Sequence, residues 1–176
     1  MSKQRDVLAY ISPDEEKEPQ ALTKELERVE EKNLEFYEAF SNKDIDRMSN
    51  VWSKSPYARC VHPGWELVVG WNDIRQSWTE IFKTVELIDF ALEDIHVEVS
   101  GRTAWVNLVA FVDVTTDDGD NFQASVVTTN IFEKTDDDWR LVLHHSSNFA
   151  EEEEEEEETT EFDMGGRGNS GISDPN

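Results

Sequence analysis

Between Asp94 and Phe149 apolar and polar residues alternate in steps of two, and this stretch holds most of what can form an extended core. Ala104 to Val112 is apolar on both alternating faces, the pattern of a central strand covered on both sides. In the next segment Phe122, Ala124, Val126, Thr128, Asn130 and Phe132 share one face. Gln123, Ser125, Val127, Thr129, Ile131 and Glu133 share the other. The last segment sets Trp139, Leu141, Leu143, His145 and Ser147 against Arg140, Val142, His144, Ser146 and Asn148. Ser100-Gly101, Asp117 to Asp120 and Thr135 to Asp138 supply the positive-φ and side-chain-capping residues that hairpins need. The pattern predicts an antiparallel meander of three long strands and the end of a fourth.

The first half has a different period. Leu22, Leu26, Val29, Asn33, Phe36, Tyr37 and Phe40 recur every three or four residues, which predicts a helix over 20–42 with one inward stripe and a solvated Glu/Lys face. Asp44 is placed to cap a short second helix whose Ile45, Met48 and Trp52 face inward. After Pro56 the segment 57–61 reads as a short strand, stopped by His62-Pro63-Gly64-Trp65. Ile74, Trp78, Ile81, Phe82 and Val85 predict a third helix over 73–84, with Asn72 as its N-cap.

Composition sets the limits of this picture. The chain has 176 residues, 37% of them hydrophobic, with six Trp and nine Phe, enough for one core. Residues 20–149 are expected to form that domain. Residues 1–19 read as a flexible lead-in and 150–176 as a disordered tail beginning with eight consecutive glutamates. The net charge of -24 is not confined to the tail, since residues 1–149 still carry 29 acidic against 15 basic side chains. Such a surface repels nucleic acid and anionic membranes, so neither is an expected partner. With no long apolar run and no secretory pattern near Met1, a cytoplasmic protein is expected. Cys60, the lone cysteine, has no partner for an internal disulfide and is expected to be buried.

Three stretches carry a family likeness: Asn33 to Asp44, His62-Pro63-Gly64 through Gly70-Trp71-Asn72-Asp73-Ile74, and Trp139 to Ser147. In this order of elements they resemble the SnoaL-like, ketosteroid-isomerase-related branch of the NTF2-like superfamily. The strand pattern is also similar to the association domain of calcium/calmodulin-dependent kinase II. The resemblance implies an α+β fold, a cone in which three N-terminal helices pack against a curved, mostly antiparallel sheet. It also implies a pocket between helix and sheet and a homodimer packed sheet on sheet. It does not choose a function, because the family includes isomerases, cyclases, dehydratases, transport factors and interaction modules.

In ketosteroid isomerases an aspartate base works with a tyrosine and a protonated aspartic acid that hold the enolate. By the resemblance the base position falls on His62, the tyrosine position on Phe36 and the second aspartate position on Thr128. Phe36 has no hydroxyl and Thr128 is a weaker donor than a carboxylic acid, so that isomerase reaction is not expected. If the protein is an enzyme, His62 is the candidate general base of a cofactor-independent isomerase, cyclase or dehydratase-like activity. The expected ligand-binding residues are Phe36, Phe40, Trp65, Trp78, Trp105, Thr128, Asn130, His144 and Ser146, with Asn148 beside them on the His144 face. His144 and His145 point to opposite faces of a strand, so only one can join His62, and no metal site is expected. Asp117, Asp118 and Asp120 lack the spacing of a calcium loop. No cofactor is implied. Two readings stay open: a domain that binds a small, largely apolar ligand, and a non-catalytic dimerising interaction module. For the second, Val127, Ile131, Leu141 and Leu143 are expected to form an apolar outer sheet face.

Overall fold

The computed structural model describes residues 19–148. The acidic tail, Phe149 and the lead-in apart from Pro19 lie outside these residues. The first helix, α1 (Pro19–Ser41), buries Leu22, Val29, Asn33, Phe36 and Tyr37 of the predicted stripe and half-buries its Leu26 and Phe40, with Ala39 buried beside them. Asp44 caps α2 (Ile45–Val51), its carboxylate accepting from the Asp46 and Arg47 amides at 3.1 and 2.9 Å. Two short strands follow, β1 (Arg59–Val61) and β2 (Val68–Val69). Helix α3 (Trp71–Thr84) starts two residues earlier than its pattern suggests. Its N-cap is Gly70 and not Asn72: a backbone at φ 84 turns the chain into the helix without a side-chain bond, and glycine takes that conformation without strain.

The remaining strands are β3 (Val85–Ser100), β4 (Thr103–Thr116), β5 (Asn121–Thr135) and β6 (Asp138–Asn148). The meander thus has four long strands rather than three and a part, because β3 continues straight from α3 for 16 residues. A register shift between Glu93 and His96, with Asp94 at φ 50, lets Ile88 and Phe90 before it and Val97 and Val99 after it all point inward. The β5–β6 hairpin turns on Asp136 and Asp137, both at positive φ, as a two-residue turn of the primed type requires.

The sheet order is β2-β1-β6-β5-β4-β3, antiparallel throughout except for a parallel β1–β6 pair. The curved sheet wraps α1, and the core lies between them. Alternation holds in β4, but only Ala104, Val106, Leu108, Ala110, Val112 and Val114 face the core. The opposite row, including Trp105, Val109 and Phe111, is half-buried or exposed, so β4 is covered on one side and not on both. Among the described residues no helix is long and apolar enough to cross a membrane.

The phase of β6 departs most from simple alternation. Ile131 pairs with Leu143 and Phe132 with Leu141, so Val142 is an extra residue opposite an uninterrupted β5. This bulge brings Trp139 and Leu141 to the same inner side as His144 and Ser146. Leu141, expected on the outer face, is wholly buried. One inserted residue explains the difference, since it exchanges the two faces of everything beyond it.

Candidate functional site

The site is built at the end of the sheet where α1, α3 and the start of β3 leave a gap. A cavity of about 420 Å³ opens there, walled by Tyr37 and Phe40 of α1, Trp78 and Ile81 of α3, Phe90 of β3, Val112 and Val114 of β4, and Val126 and Thr128 of β5. His62, Trp65, Phe122, His144, Ser146 and Asn148 also line it. Trp65 and Phe122 are 45% and 51% exposed and stand at its edge, while Trp78, Thr128, His144 and Ser146 are buried.

His62 follows β1 and begins a turn in which the Trp65 amide donates to its carbonyl at 3.0 Å. Pro63 presets the turn and Gly64 at φ 77 completes it. This swings the imidazole under α3, where Nε2 lies 2.9 Å from Ser77 Oγ. The Ser77 hydroxyl donates to the Ile74 carbonyl at 2.8 Å, so its oxygen accepts from His62 and Nε2 carries the proton. Cys60 Sγ lies 3.6 Å from Nε2 and 4.0 Å from Nδ1. Burial pushes the Cys60 thiol well up and the His62 imidazole down to about 4. The two are therefore a neutral thiol and a neutral ring, not a thiolate–imidazolium pair.

His144 lies on β6, the strand paired with β1, its ring centre 6.4 Å from that of His62 and 5.8 Å from that of Trp78. Its Nδ1 is 2.7 Å from Asn130 Oδ1, and Asn130 Nδ2 donates to Asn33 Oδ1 at 2.7 Å. Burial lowers its pKa to about 3, with the neighbouring His62 and His145 acting in the same direction. Thr128 and Ser146 share a hydrogen bond at 3.0 Å. The Trp78 indole N–H, by contrast, is buried without a hydrogen-bond partner among the described residues, and the buried Tyr37 hydroxyl faces Thr128. Burial raises the Tyr37 phenol, which therefore stays protonated. The chamber thus presents neutral imidazoles and hydroxyls in an aromatic wall, with no Lys, Arg, Asp or Glu among its lining residues.

Of the residues expected from sequence, the structure brings His62, Phe40, Trp65, Trp78, Thr128, His144 and Ser146 to this wall. Phe36 and Asn130 lie one layer behind it: Phe36 packs 4.9 Å from the His144 ring, and Asn130 holds that ring from behind. Trp105 is not part of the site. It belongs to the outward row of β4, because in a strand apolar on both rows only neighbouring elements decide which row meets the core. Sequence reasoning missed Tyr37, Ser77 and the role of Asn33. A signal existed for Asn33 and Ser77, as each is a polar residue inside an otherwise apolar helical stripe. Among the described residues no three His, Cys, Asp or Glu side chains gather in a way that could hold a metal ion.

A larger hollow, about 670 Å³, lies beside Phe111, Asp113, Gln123, Ser125 and Asn148. None of its polar side chains is buried, so it is a surface groove without a built interior.

Comparison with known proteins agrees with this architecture. A family model described as a SnoaL-like domain matches residues 29–151. A proposed dehydratase of the NTF2-like family from Streptomyces avermitilis is 32% identical. The match covers 73% of this chain and 98% of that one, with a TM-score of 0.68. An NTF2-like superfamily protein from Salmonella enterica, 18% identical, superposes with a TM-score of 0.69 over 79% of this chain and 99% of its own. A proposed calcium/calmodulin-dependent kinase II association domain from Thiobacillus denitrificans, 23% identical, gives 0.61 over 69% and 94%. These last two likenesses are of fold. Among curated proteins, the F-box protein SKIP8 of Arabidopsis thaliana is 30% identical over 112 residues, 64% of this chain and 46% of that protein. The chain thus spans less than half the length of that relative.

Proposed function

Because this chain belongs to the SnoaL-like domain family of NTF2-like fold, we propose that it binds a small, uncharged, largely apolar ligand in the chamber between α1, α3 and the sheet. The observation that carries this reading is the chamber's mixed wall. Aromatic side chains surround buried polar groups, and the Trp78 N–H has no partner among the described residues. A buried polar group without a partner costs free energy that a well-placed ligand atom recovers. A charged ligand would find no counter-charge on the wall.

If the bound molecule also reacts, the likeness to a proposed dehydratase makes loss of water from a hydroxyl-bearing compound the first activity to assay. In such a step a base removes a proton from carbon, the electron pair becomes the new double bond, and the hydroxyl leaves as water with that same proton, returned to it by the base. His62 or His144 would accept that proton. Both rings are held far below neutral pKa, which favours hydrogen bonding to a ligand over strong basicity.

The test is a titration of isotope-labelled protein with a panel of neutral planar alcohols, phenols and ketones. Shifts confined to the Trp78 indole, His62, His144 and Thr128 are expected for at least one of them. If no compound moves these signals, the ligand-binding reading is wrong.

A second reading, a dimerising interaction module, rests on the outer sheet face. There Phe111 and Val127 are 43% and 40% exposed, beside half-buried Trp105, Val109, Ile131 and Leu143. Sedimentation at micromolar concentration would give twice the chain mass, and Phe111→Lys would return the monomer. A monomeric wild type removes this reading.

A further inference from the structure

The hydrogen bonds behind His144 have a direction. Asn130 uses its amide N–H toward α1, donating to Asn33 Oδ1, which leaves its carbonyl oxygen as the group 2.7 Å from His144 Nδ1. A carbonyl oxygen can only accept, so the proton of the neutral ring belongs on Nδ1. Nε2 then carries a lone pair. It has no hydrogen-bond partner among the described residues, while the ring itself is part of the cavity wall. Asn33 is 1% and Asn130 0% exposed, and each sits on a different regular element, so neither amide is placed by chance contact with solvent.

We propose that Asn33 and Asn130 are positioning residues that fix His144 as the Nδ1–H tautomer. The cavity thereby offers a bare Nε2 acceptor and selects ligands bearing a hydroxyl donor, alcohols or phenols, over the matching ethers. The selectivity rests on the ligand-binding reading above. The tautomer does not.

The physical case is one of satisfaction. A hydroxyl placed against Nε2 gains a hydrogen bond in a dry, aromatic surrounding, whereas an ether oxygen there sets two lone pairs against each other. His62 does not supply the missing donor, because its Nε2–H is taken by Ser77 and its other ring nitrogen lies 4.0 Å from Cys60 Sγ. The donors facing the cavity are hydroxyls, which can turn to accept, the Trp78 N–H and, at the exposed edge, the Asn148 amide. With a fixed acceptor at His144, a ligand group placed against it has to bring the hydrogen.

The experiment has two arms on the full chain. Long-range proton–nitrogen correlation spectra of the wild type report which ring nitrogen of each histidine is protonated. The expected result is protonated Nδ1 with bare Nε2 for His144, and the reverse for His62. Asn33→Leu removes the acceptor that orients the Asn130 amide, and the His144 signals should then show both tautomers; a purely structural Asn33 would leave the tautomer unchanged. A wild-type His144 protonated on Nε2 overturns the proposal without any variant. The second arm titrates 2-naphthol and 2-methoxynaphthalene, with naphthol expected to bind about 10-fold more tightly in wild type and at most about 2-fold more tightly in Asn33→Leu. Equal affinities in wild type overturn the selectivity. If neither compound binds, the selectivity falls together with the ligand-binding reading, and the tautomer is judged on the spectra.

Discussion

The two ends of the space between α1 and the sheet are built from the same strands and behave differently. At the closed end, Val29, Phe132, Trp139 and Leu141 are at most 1% exposed and fill the interior. The Trp139 N–H donates to Glu25 at 2.9 Å, and Lys134 pairs with the same carboxylate at 2.9 Å. Burial works against the ionised Glu25, but these partners outweigh it and hold its pKa below the usual value. At the open end the same strands carry Thr128, His144 and Ser146, and the space stays hollow. Both ends leave a buried indole N–H without a partner among the described residues, Trp52 beside Leu141 and Trp78 in the chamber wall, but only the second borders open space. A hollow end whose wall carries an unpaired donor is where a ligand adds the most, and this difference in filling marks the site more clearly than any single residue.

Val142 connects the two ends. Deleting it removes the bulge but leaves Ile131 opposite Leu143 and Phe132 opposite Leu141, so strict alternation from Trp139 keeps Leu141, His144 and Ser146 inward. The loss of a buried side chain and of the local bend it sits in is the largest effect expected on stability, about 5 kcal/mol in denaturant titrations, while the His144 ring stays shielded from solvent. A deletion variant whose His144 ring becomes exposed would mean that the bulge itself, and not alternation on either side of it, sets the phase.

Acid should reach the open end first. The folded-state pKa values of His62 and His144, about 4 and about 3, lie below the ordinary 6.5, so the unfolded chain takes up protons that the folded one refuses. Their contribution is complete above about pH 6.5 and is lost as the pH falls toward 4 and then 3, at about 1.4 kcal/mol per pH unit for each ring. Glu25 acts in the same direction, but only below its ordinary 4.5, so the interval between pH 6.5 and 5 isolates the histidines. Denaturation at a series of pH values should show this slope, and His62→Asn should roughly halve it. An unchanged slope would place the acid sensitivity elsewhere.

The closed end is tested by Trp139→Ala, which removes a wholly buried indole and leaves Glu25 without one of its donors. A loss of about 3–5 kcal/mol is expected in denaturant titrations. The effect should be nearly independent of pH between 6.5 and 5. A loss below about 1 kcal/mol would show that the closed end is not the rigid part of the molecule.

These ends were not equally legible in the sequence. The stripe of α1, the Asp44 cap and the inward row of β5 follow from local rules, because each depends on residues a few positions apart. The phase of β6 depends on how two strands pair across a hairpin, and no residue type at 142 announces a bulge. Trp105 was unreadable for a related reason. Both rows of β4 are apolar, and which one faces α1 is a property of the assembled sheet. His62 and His144 could be named from their residue types and from family likeness. Their protonation could not, since it depends on Ser77 and Asn130, which only folding brings beside them.

The smallest expected change in stability comes from Trp65, and it separates a wall from a core. Trp65 lies in the loop after β1 with its ring centre 5.0 Å from that of His62, yet it remains 45% exposed. Its removal uncovers little that was dry, so Trp65→Ala should change stability by no more than about 0.5 kcal/mol. A ligand seated in the chamber would cover the indole and lose that contact in the variant. Truncating an aromatic residue at the edge of a binding site commonly costs about 1–2 kcal/mol of affinity, roughly 5- to 30-fold in Kd. The paired measurement is a melting curve and a 2-naphthol titration of the same variant. Binding weakened at constant stability would assign Trp65 to the ligand, whereas stability lost by 2 kcal/mol or more would make it part of the fold and move the boundary between filled and open space outward past the loop.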